Sequence, residues 1–367
     1  MTQGSIKWAD VDTSAIAHNT ALVRQLVGPS TAVMAVVKAN GYGHGAVPAA
    51  RAALEGGATW LGVSSVAEGI ELRRAGFREP ILNLGYTPPS ELSAAVADRL
   101  ALNVYDRASL ELLKTAATEI AVHVKADTGM HRVGATPEEA VELATEVHAD
   151  PHLRLEGFWT HFADADRDLA FTREQLRIFL DARAALVRGG VTGFISHAAN
   201  SAGTLRLPEA RLDLVRAGLV LYGVRPVRTW TELPSLKPAL SWHTVVTNVV
   251  IVPKGESVGY GRRFKATSDA RVATIAVGYA DGLHRQASNR AHAIVRGRVV
   301  PIAGTISMDQ ASLDVTSGPD VTLGDVVTII GHDGGATLTA DDLAEASGTI
   351  SWEVLCAISS RVPRRYL

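Results

Sequence analysis

Residues 30–225 alternate between short β-rich runs and segments of helical periodicity, and this alternation limits the folds open to the chain more than any other feature. The β-rich runs lie at residues 31–37, 59–63, 80–85, 100–104, 120–125, 154–161, 193–197 and 214–223. Eight strand-then-helix units favour an α/β fold, a closed (β/α)₈ barrel of the TIM type. By pattern alone, a doubly wound open sheet remains the alternative.

Two of the intervening segments carry strong helix signals. Residues 136–149 begin with Thr136 as an N-cap, followed by a proline at the first helical position and glutamates in the first turn. Residues 172–190 repeat apolar side chains on one face and end at Gly189 and Gly190. We therefore predict helices in both places.

After residue 236 the helical periodicity disappears. The β-branched runs that follow are bounded by Gly, Pro and Asp, at residues 242–252, 271–277, 293–304, 311–315 and 325–331. They predict a mainly antiparallel β-domain. We place the boundary in residues 226–238, which gives a barrel of residues 1–235 and a β-domain of residues 236–367, with residues 1–10 able to pair with the β-domain.

Charge and cysteine content exclude several classes of function. Lys and Arg number 36 and Asp and Glu 38, a net charge of −2 that gives no reason to expect nucleic acid or a membrane surface as a partner. The single cysteine, Cys356, rules out an internal disulfide, and its apolar neighbours predict a buried thiol. We find no metal-ligand motif. The N-terminus lacks the apolar segment of a signal peptide, so we expect a cytoplasmic protein.

The segment VVKANGYGHG (residues 36–45) points to chemistry. Lys38 follows an apolar run that predicts a buried strand, and it precedes a glycine-rich turn. An isolated lysine at a strand end is usually a solvated charge. Here, however, Gly41, Gly43 and Gly45 permit positive φ angles and close approach to a ligand. An amine desolvated in such a pocket has a lowered pKa and becomes a nucleophile toward carbonyls, so a Schiff base is the natural chemistry.

This stretch closely resembles the pyridoxal phosphate attachment site of the alanine racemases. Further matching motifs occur in the family's order: KADTGMHRVG from 125, HFADAD from 161, HAANSAG from 197, RAGLVLYG from 216, VGYG from 258, GYADG from 278 and GTISMDQ from 304. The resemblance covers essentially the whole chain. It implies an isomerase that interconverts L- and D-alanine by two-base proton transfer on a pyridoxal phosphate aldimine, supplying D-alanine for peptidoglycan.

The resemblance also implies which residues contact pyridoxal 5′-phosphate, the expected cofactor. They are Lys38, Tyr42, His161, Asn200, Ser201, Arg216, Gly218, Leu219 and Tyr222. Among them Arg216 faces the pyridine nitrogen, and His161 hydrogen-bonds that arginine. An arginine does not fully protonate the nitrogen, so the ring is a poorer electron sink and racemisation is protected from transamination.

Catalysis and substrate binding are assigned by the same resemblance. Lys38 and Tyr260 are the two bases, one for each face of Cα. The residues implied to bind substrate are Arg132, Met308, Tyr279 and Asp309. Lys125 is implied to carry a carbamate that orients Arg132. In the family the tyrosine base and the methionine reach the partner's barrel, so the resemblance implies a homodimer with shared active sites.

One position departs from the family. Ser360 stands where many relatives carry a tyrosine that contacts the cofactor phosphate, so we expect water or Tyr42 to take more of that role. Three other functions stay open: a racemase of serine or lysine on the same scaffold, a non-catalytic pyridoxal phosphate carrier, and a decarboxylase of similar architecture. The second domain argues against the carrier, and Arg216 argues against the decarboxylase.

Overall fold

The computed structural model describes residues 5–230 and 235–367; residues 1–4 and 231–234, the latter inside the expected boundary stretch, lie outside the described residues. The chain divides into two compact units. As far as their residues are described, the units comprise Ala15–Gly41 with Ala46–Lys237, and Met1–Ser14 with Tyr42–Gly45 and Pro238–Leu367. Among the described helices, none combines the length and apolarity that a membrane span needs.

Eight parallel strands form the barrel of the first unit. They are β2 (Ala32–Val36), β3 (Trp60–Val63), β4 (Ile81–Asn83), β5 (Leu102–Val104), β6 (Ile120–Lys125), β7 (Leu153–Trp159), β8 (Ile195–His197) and β9 (Leu214–Ala217). Two four-stranded sheets, β4-β3-β2-β9 and β5-β6-β7-β8, are joined by a bridge from Leu82 to Ala101. The Asp213 amide closes the ring by donating to the Ser196 carbonyl at 3.1 Å. The prediction of a closed barrel is confirmed.

In the described part of the chain, one helix precedes the first barrel strand, and seven follow strands β2 to β8 in turn. Their bounds are α1 (Thr13–Val27), α2 (Ala46–Glu55), α3 (Val66–Arg74), α4 (Leu92–Ala97), α5 (Arg107–Lys114), α6 (Pro137–Ala149), α7 (Leu169–Arg188) and α8 (Ser201–Arg206). As predicted, Thr136 caps α6, and Glu139 completes a capping box. Helix α7 begins three residues earlier than the sequence indicates, because the Asp168 side chain accepts a hydrogen bond from the Phe171 amide and caps the helix there.

The second unit is built on a nine-stranded sheet and a short hairpin. Its strands are β1 (Lys7–Val11), β10 (Leu240–Val252), β11 (Ser257–Val258), β12 (Phe264–Lys265), β13 (Ala270–Ile275), β14 (His292–Val295), β15 (Arg298–Pro301), β16 (Ala311–Asp314), β17 (Val326–Asp333), β18 (Ala336–Leu338) and β19 (Arg364–Tyr366). Strand β1 pairs antiparallel with β10 and parallel with β19. The chain's beginning and end therefore join the same sheet.

Short 3₁₀ turns connect many of these elements. They span Pro89–Glu91, Pro208–Ala210, Leu219–Tyr222, Tyr260–Arg262, Tyr279–Asp281 and Arg285–Ala287. Three of them hold residues that the resemblance assigns to catalysis or binding: Leu219 with Tyr222, Tyr260, and Tyr279.

Three expectations for the second unit are wrong. Helical structure returns after residue 236, in α9 (Ala340–Ser347) and α10 (Ser351–Ala357), because Thr339 and Asp342 form a capping box. The run 293–304 is two strands, since Arg296 and Gly297 take positive φ angles of 49° and 73° and turn the chain back. Cys356 is exposed, because it lies on the outer face of α10.

Candidate active site

Lys38 directly follows strand β2 and its continuation Val37, at the carboxyl end of the barrel, where TIM barrels place their chemistry. It leads into an unusual backbone segment. Ala39, Asn40 and Gly41 have φ and ψ near +50°, so they form a left-handed helical turn. Left-handed backbone costs about 1–2 kcal/mol for each non-glycine residue, and such strain tends to persist at functional sites.

Side chains and glycines hold this turn in place. The Glu68 carboxylate accepts from the Ala39 amide at 2.7 Å, and the Asn40 side chain accepts from the Ala46 amide at 2.9 Å. The three glycines of the segment all adopt the positive φ angles that the sequence predicts, 61° at Gly41, 84° at Gly43 and 96° at Gly45. The strained conformation is therefore fixed by specific partners on both sides of it.

Arg216, on β9, is 3% exposed and is held by neutral acceptors. Its Nη2 donates to the carbonyls of Thr160 and Ala198 at 2.7 and 2.8 Å, and lies 3.2 Å from His161 Nδ1. Its Nη1 lies 2.7 Å from His197 Nδ1. Burial lowers the pKa of Arg216 to about 9, which leaves the guanidinium charged at neutral pH.

The two histidines beside Arg216 are neutral. Burial lowers the pKa of both His161 and His197 well below the ordinary value, and the charge of Arg216 lowers each further. Arginine can only donate, so the Nδ1 atom of each ring must accept and the proton must lie on Nε2. The tautomers of both rings therefore follow from their contact with Arg216.

Trp159, at the end of β7, contacts two cations. Lys125 Nζ and Arg216 Cζ each lie 4.6 Å from the centroid of its ring, which is within cation–π range. The Trp159 ring also stacks on His197, with centroids 5.3 Å apart and planes 9° apart. Its Nε1 donates to Asn103 at 2.9 Å. Trp159 thus contacts four polar side chains at once.

Lys125 is buried at the end of β6 and surrounded by positive charge. Burial, followed by the charges of Arg216 and Arg132, lowers the pKa of the Lys125 ammonium to about 8. The Lys38 charge adds a smaller decrease. Arg132 itself is exposed, in the loop that follows β6. Four positive charges therefore act on one another at the carboxyl end of the barrel, those of Lys38, Lys125, Arg132 and Arg216.

Donors for a bound anion lie beside this cluster. The Gly218 amide donates to Ser201 Oγ at 3.0 Å, which brings the start of α8 next to the turn that begins at Leu219. Asn200 caps α8 by accepting from the Gly203 amide. Tyr222 is buried, and its hydroxyl donates to the Val36 carbonyl at 3.1 Å, just before Lys38. The Ser201 hydroxyl accepts from Gly218 and keeps its own proton to donate, and together with the nearby cations it fits a phosphorylated aldehyde cofactor.

The remaining predicted residues belong to the second unit. Tyr42 is partly buried, and burial raises the pKa of its phenol. Tyr260, Tyr279 and Met308 are 73%, 42% and 53% exposed. No described hydrogen bond joins Tyr260 to Met308. The Ala280 amide, next to Tyr279 in the chain, donates to the Met308 carbonyl at 3.0 Å.

Asp309 and Ser360 are also exposed. The Asp309 carboxylate accepts from Arg361 at 2.6 Å, directly beside Ser360 in the chain.

Comparison with known proteins decides the family. The family described as "Alanine racemase, N-terminal domain" matches residues 11–226, and "Alanine racemase, C-terminal domain" matches residues 239–366. The chain belongs to the alanine racemase family. This membership places it among the isomerases, and it confirms the resemblance on which the sequence analysis relied.

Individual alanine racemases match over nearly their full lengths. Those of Symbiobacterium thermophilum and Desulfovibrio desulfuricans are 43% and 40% identical, over 98% of this chain and 96% and 98% of theirs. The crystal structure of alanine racemase from Bacillus anthracis with bound L-Ala-P superposes with a TM-score of 0.93 at 36% identity, covering 100% of this chain and 96% of that one. The Streptomyces lavendulae enzyme gives 0.93 at 37%, over 100% and 98%.

The sequence assigns no role to three residues that the structure connects to Arg216, namely Trp159, His123 and Glu156. The available signal was a histidine at position 123 inside an otherwise apolar strand, since a buried imidazole needs a polar partner. No partner can be identified without the fold, because Glu156 is 33 positions away in the chain.

Proposed function

We propose that the chain is a cytoplasmic, pyridoxal phosphate-dependent alanine racemase that interconverts L- and D-alanine. It would supply D-alanine for peptidoglycan synthesis. The observation that carries the proposal is Lys38, which follows a barrel strand, leads into a strained turn and shares its electrostatic surroundings with Arg216 and Lys125. A lysine amine held at such a place can attack an aldehyde and form an imine.

Residues of the barrel would hold the cofactor. Lys38 would bind its aldehyde carbon, and Ser201 with the amides of Gly218 and Leu219 would hold its phosphate, together with Tyr42. Asn200, His161 and Tyr222 support this set from α8, the end of β7 and the turn after β9. When bound, pyridoxal phosphate withdraws electrons from the amino acid and makes its Cα proton acidic.

Arg216 would face the ring nitrogen as a cation that accepts no hydrogen bond and pairs with no carboxylate among the described residues. Each group that accepts from it, two imidazoles and two carbonyls, is neutral. A carboxylate at this position would favour a protonated nitrogen and a strong electron sink, whereas an arginine guanidinium donates a hydrogen bond and keeps its proton. This arrangement supports a site that returns the proton to Cα.

Two bases would act on opposite faces of Cα. The Lys38 amine would take or return the proton on one face, and the Tyr260 phenol would do so on the other. Because Tyr260 is 73% exposed in its own unit, it is available to a second copy of the chain. We therefore propose a homodimer in which each Tyr260 completes the partner's site, with Met308 beside it.

Substrate recognition would depend on a few polar groups. Arg132 would pair with the substrate carboxylate, Met308 and Asp309 would line the amino-acid pocket, and Tyr279 would stand at its entrance. We also propose that Lys125 carries a carbamate, since a neutral amine adds to carbon dioxide and the resulting anion would pair with Arg132.

A substrate panel tests the proposal. L-Alanine, L-serine and L-lysine are offered separately with saturating pyridoxal phosphate, and the D-isomer is measured by chiral chromatography. We expect kcat/KM for alanine to exceed the others by at least about tenfold, because larger side chains must be accommodated in the pocket. Lys38→Ala should be inactive, and Lys254→Ala, which changes an exposed lysine, should match the wild type. Preference for serine or lysine, or no racemisation, would overturn the assignment.

A further inference from the structure

A chain of polar side chains runs through the barrel from Arg216 to a carboxylate that the reaction does not use. Arg216 Nη1 lies 2.7 Å from His197 Nδ1, His197 Nε2 lies 2.9 Å from His123 Nδ1, and His123 Nε2 lies 3.3 Å from Glu156 Oε2. Arg216 is 3% exposed, and both histidines are fully buried. The four side chains form one continuous hydrogen-bonded path.

Arg216 at one end and Glu156 at the other fix the direction of every hydrogen bond in this path. Arg216 can only donate, so His197 accepts at Nδ1 and carries its proton on Nε2. His197 then donates to His123 Nδ1, which leaves the His123 proton on Nε2, facing Glu156. An ionised carboxylate can only accept. Both rings are therefore neutral Nε2–H tautomers, and no other assignment satisfies all four groups.

The backbone of β7 is shaped for this contact. Between β6 and β7, Val122 pairs with Leu155, but His123 pairs with Gly157, so Glu156 is the extra residue of a β-bulge. Bulges re-aim side chains and are common beside active sites. A Cβ atom at position 157 would lie 2.1 Å from His123 Nδ1, so only glycine leaves room for the ring. The bulge and the glycine together admit the histidine and turn the carboxylate toward it.

Glu156 is the anionic end of the path and also its link to solvent. Burial alone would raise its pKa, but the hydrogen bond with His123 and the Arg154 guanidinium at 2.8 Å outweigh burial, so the pKa of Glu156 is lowered. Its side chain is 17% exposed and lines a cleft of about 400 Å³ together with Arg154. The carboxylate is therefore ionised and lies at a solvent-accessible cleft, whereas Arg216 is buried.

We propose that Glu156 is a positioning residue for the racemase reaction, which acts through His123 and His197 to hold the buried Arg216 cation in place and in charge balance. The groups that contact Arg216 directly are neutral, so Glu156 supplies the negative charge through two polarised imidazoles. The consequence for catalysis rests on the proposed function, because Arg216 is assigned to the cofactor's ring nitrogen there. The hydrogen-bonded path itself does not rest on that assignment.

The first test needs no activity. Full-length protein labelled with [¹⁵N]histidine and [¹³Cζ,¹⁵N]arginine is studied by NMR at pH 7, with His123→Phe and Arg216→Lys used for assignment. We expect neutral Nε2–H tautomers for His123 and His197. An Nδ1–H tautomer or an imidazolium at either position would overturn the proposal, whatever the enzyme's activity.

The second test separates charge from shape. Glu156→Gln keeps an oxygen acceptor for His123 but removes the charge, and His123→Phe keeps the ring's volume but breaks the path. Glu119→Gln is the control, because Glu119 binds the other side of Arg154 at 3.3 Å without touching the path. In the NMR spectra, both path variants should shift the Arg216 guanidinium resonances, and the control should not.

In the enzyme loaded with pyridoxal phosphate, each path variant should lower kcat for alanine with little change in KM. The expected decrease is about tenfold, the factor that corresponds to one pKa unit. The double variant should lose no more than either single variant, because both act through the same path. Additive losses, or unchanged Arg216 resonances in folded Glu156→Gln, would contradict the proposal. If no variant racemises alanine but the resonances shift as expected, only the proposed function fails.

Discussion

Trp159 and Arg216 illustrate how single side chains organise this site. The Trp159 ring contacts the Lys125 ammonium and the Arg216 guanidinium and stacks on His197. Cations attract an aromatic face most when they are desolvated, as Lys125 and Arg216 are. Two like charges can therefore lie buried against the same aromatic ring.

Lys125 should react with carbon dioxide. With its pKa lowered to about 8, roughly a tenth of Lys125 is neutral amine at pH 7, enough to form a carbamate. Protein equilibrated with [¹³C]bicarbonate should show a Lys125 carbamate signal by ¹³C NMR, separate from that of the N-terminal amine. The Lys125 signal should vanish in Lys125→Gln and persist in Lys114→Gln, because ion pairs with Glu111 and Glu146 raise the pKa of Lys114. A spectrum that loses no carbamate signal in Lys125→Gln would refute this prediction.

The left-handed turn after Lys38 is the structural element most specific to this site. It is held by glycines whose tolerance of positive φ is only part of their role. At Gly43, with φ of 84°, a Cβ atom would also lie 2.3 Å from the Leu355 carbonyl oxygen in α10. Space and backbone conformation both require glycine there.

Gly43→Ala should therefore destabilise the protein much more than a matched glycine variant. Gly28 has a similar φ of 79°, but no atom lies within 4 Å of the position that an alanine Cβ would occupy. Gly28→Ala should therefore cost about 1 kcal/mol of unfolding free energy. Gly43→Ala should cost on the order of 3 kcal/mol, because the clash is with backbone that cannot move aside. Urea unfolding at equal protein concentration measures both. Equal losses would show that the contact with Leu355 has no energetic effect.

Most elements of the barrel could be predicted from the sequence, and the reasons are local. Strand β6 matches the predicted run 120–125, and α6 begins at its Thr136 cap, because hydrophobic periodicity and capping are encoded in neighbouring residues. The run 293–304 does not reveal its division into two strands, because Arg296 carries no turn signal and the single Gly297 is also compatible with an irregular strand. The helices α9 and α10 were missed, since eight or fewer residues give little periodicity.

The candidate site also contains residues that the sequence predicts and residues that only the fold reveals. Lys38, Arg216 and Lys125 lie at strand ends, where the barrel pattern alone indicates chemistry. The path through His123 to Glu156 depends on the register shift between β6 and β7, and a shift of one residue reverses which face a side chain takes. No local pattern in the sequence encodes that shift.

At the scale of the whole molecule, the proposal requires two copies of the chain. Lys38 lies in the barrel unit and Tyr260 in the other unit, where it is exposed. In a symmetric dimer each interface contact occurs twice, so two identical sites would each draw Tyr260 from the partner. Stability and activity should therefore both depend on protein concentration.

Mixing two inactive variants tests this sharing directly. Lys38→Ala and Tyr260→Phe are each expected to racemise alanine very poorly. When equal amounts are refolded together, half the dimers are mixed, and each mixed dimer has one intact site, so about a quarter of wild-type activity should return. If both residues of a site came from one chain, mixing would restore nothing. Lys38→Ala mixed with itself is the control.

The central claim is that Lys38 binds the cofactor covalently, and one measurement tests it most directly. The purified protein is loaded with pyridoxal phosphate, reduced with borohydride, digested and analysed by mass spectrometry. The account predicts a phosphopyridoxyl adduct on the peptide that contains Lys38, and loss of the adduct and of the visible absorbance band in Lys38→Ala. An adduct on Lys125 instead, or no stoichiometric adduct at all, would contradict it.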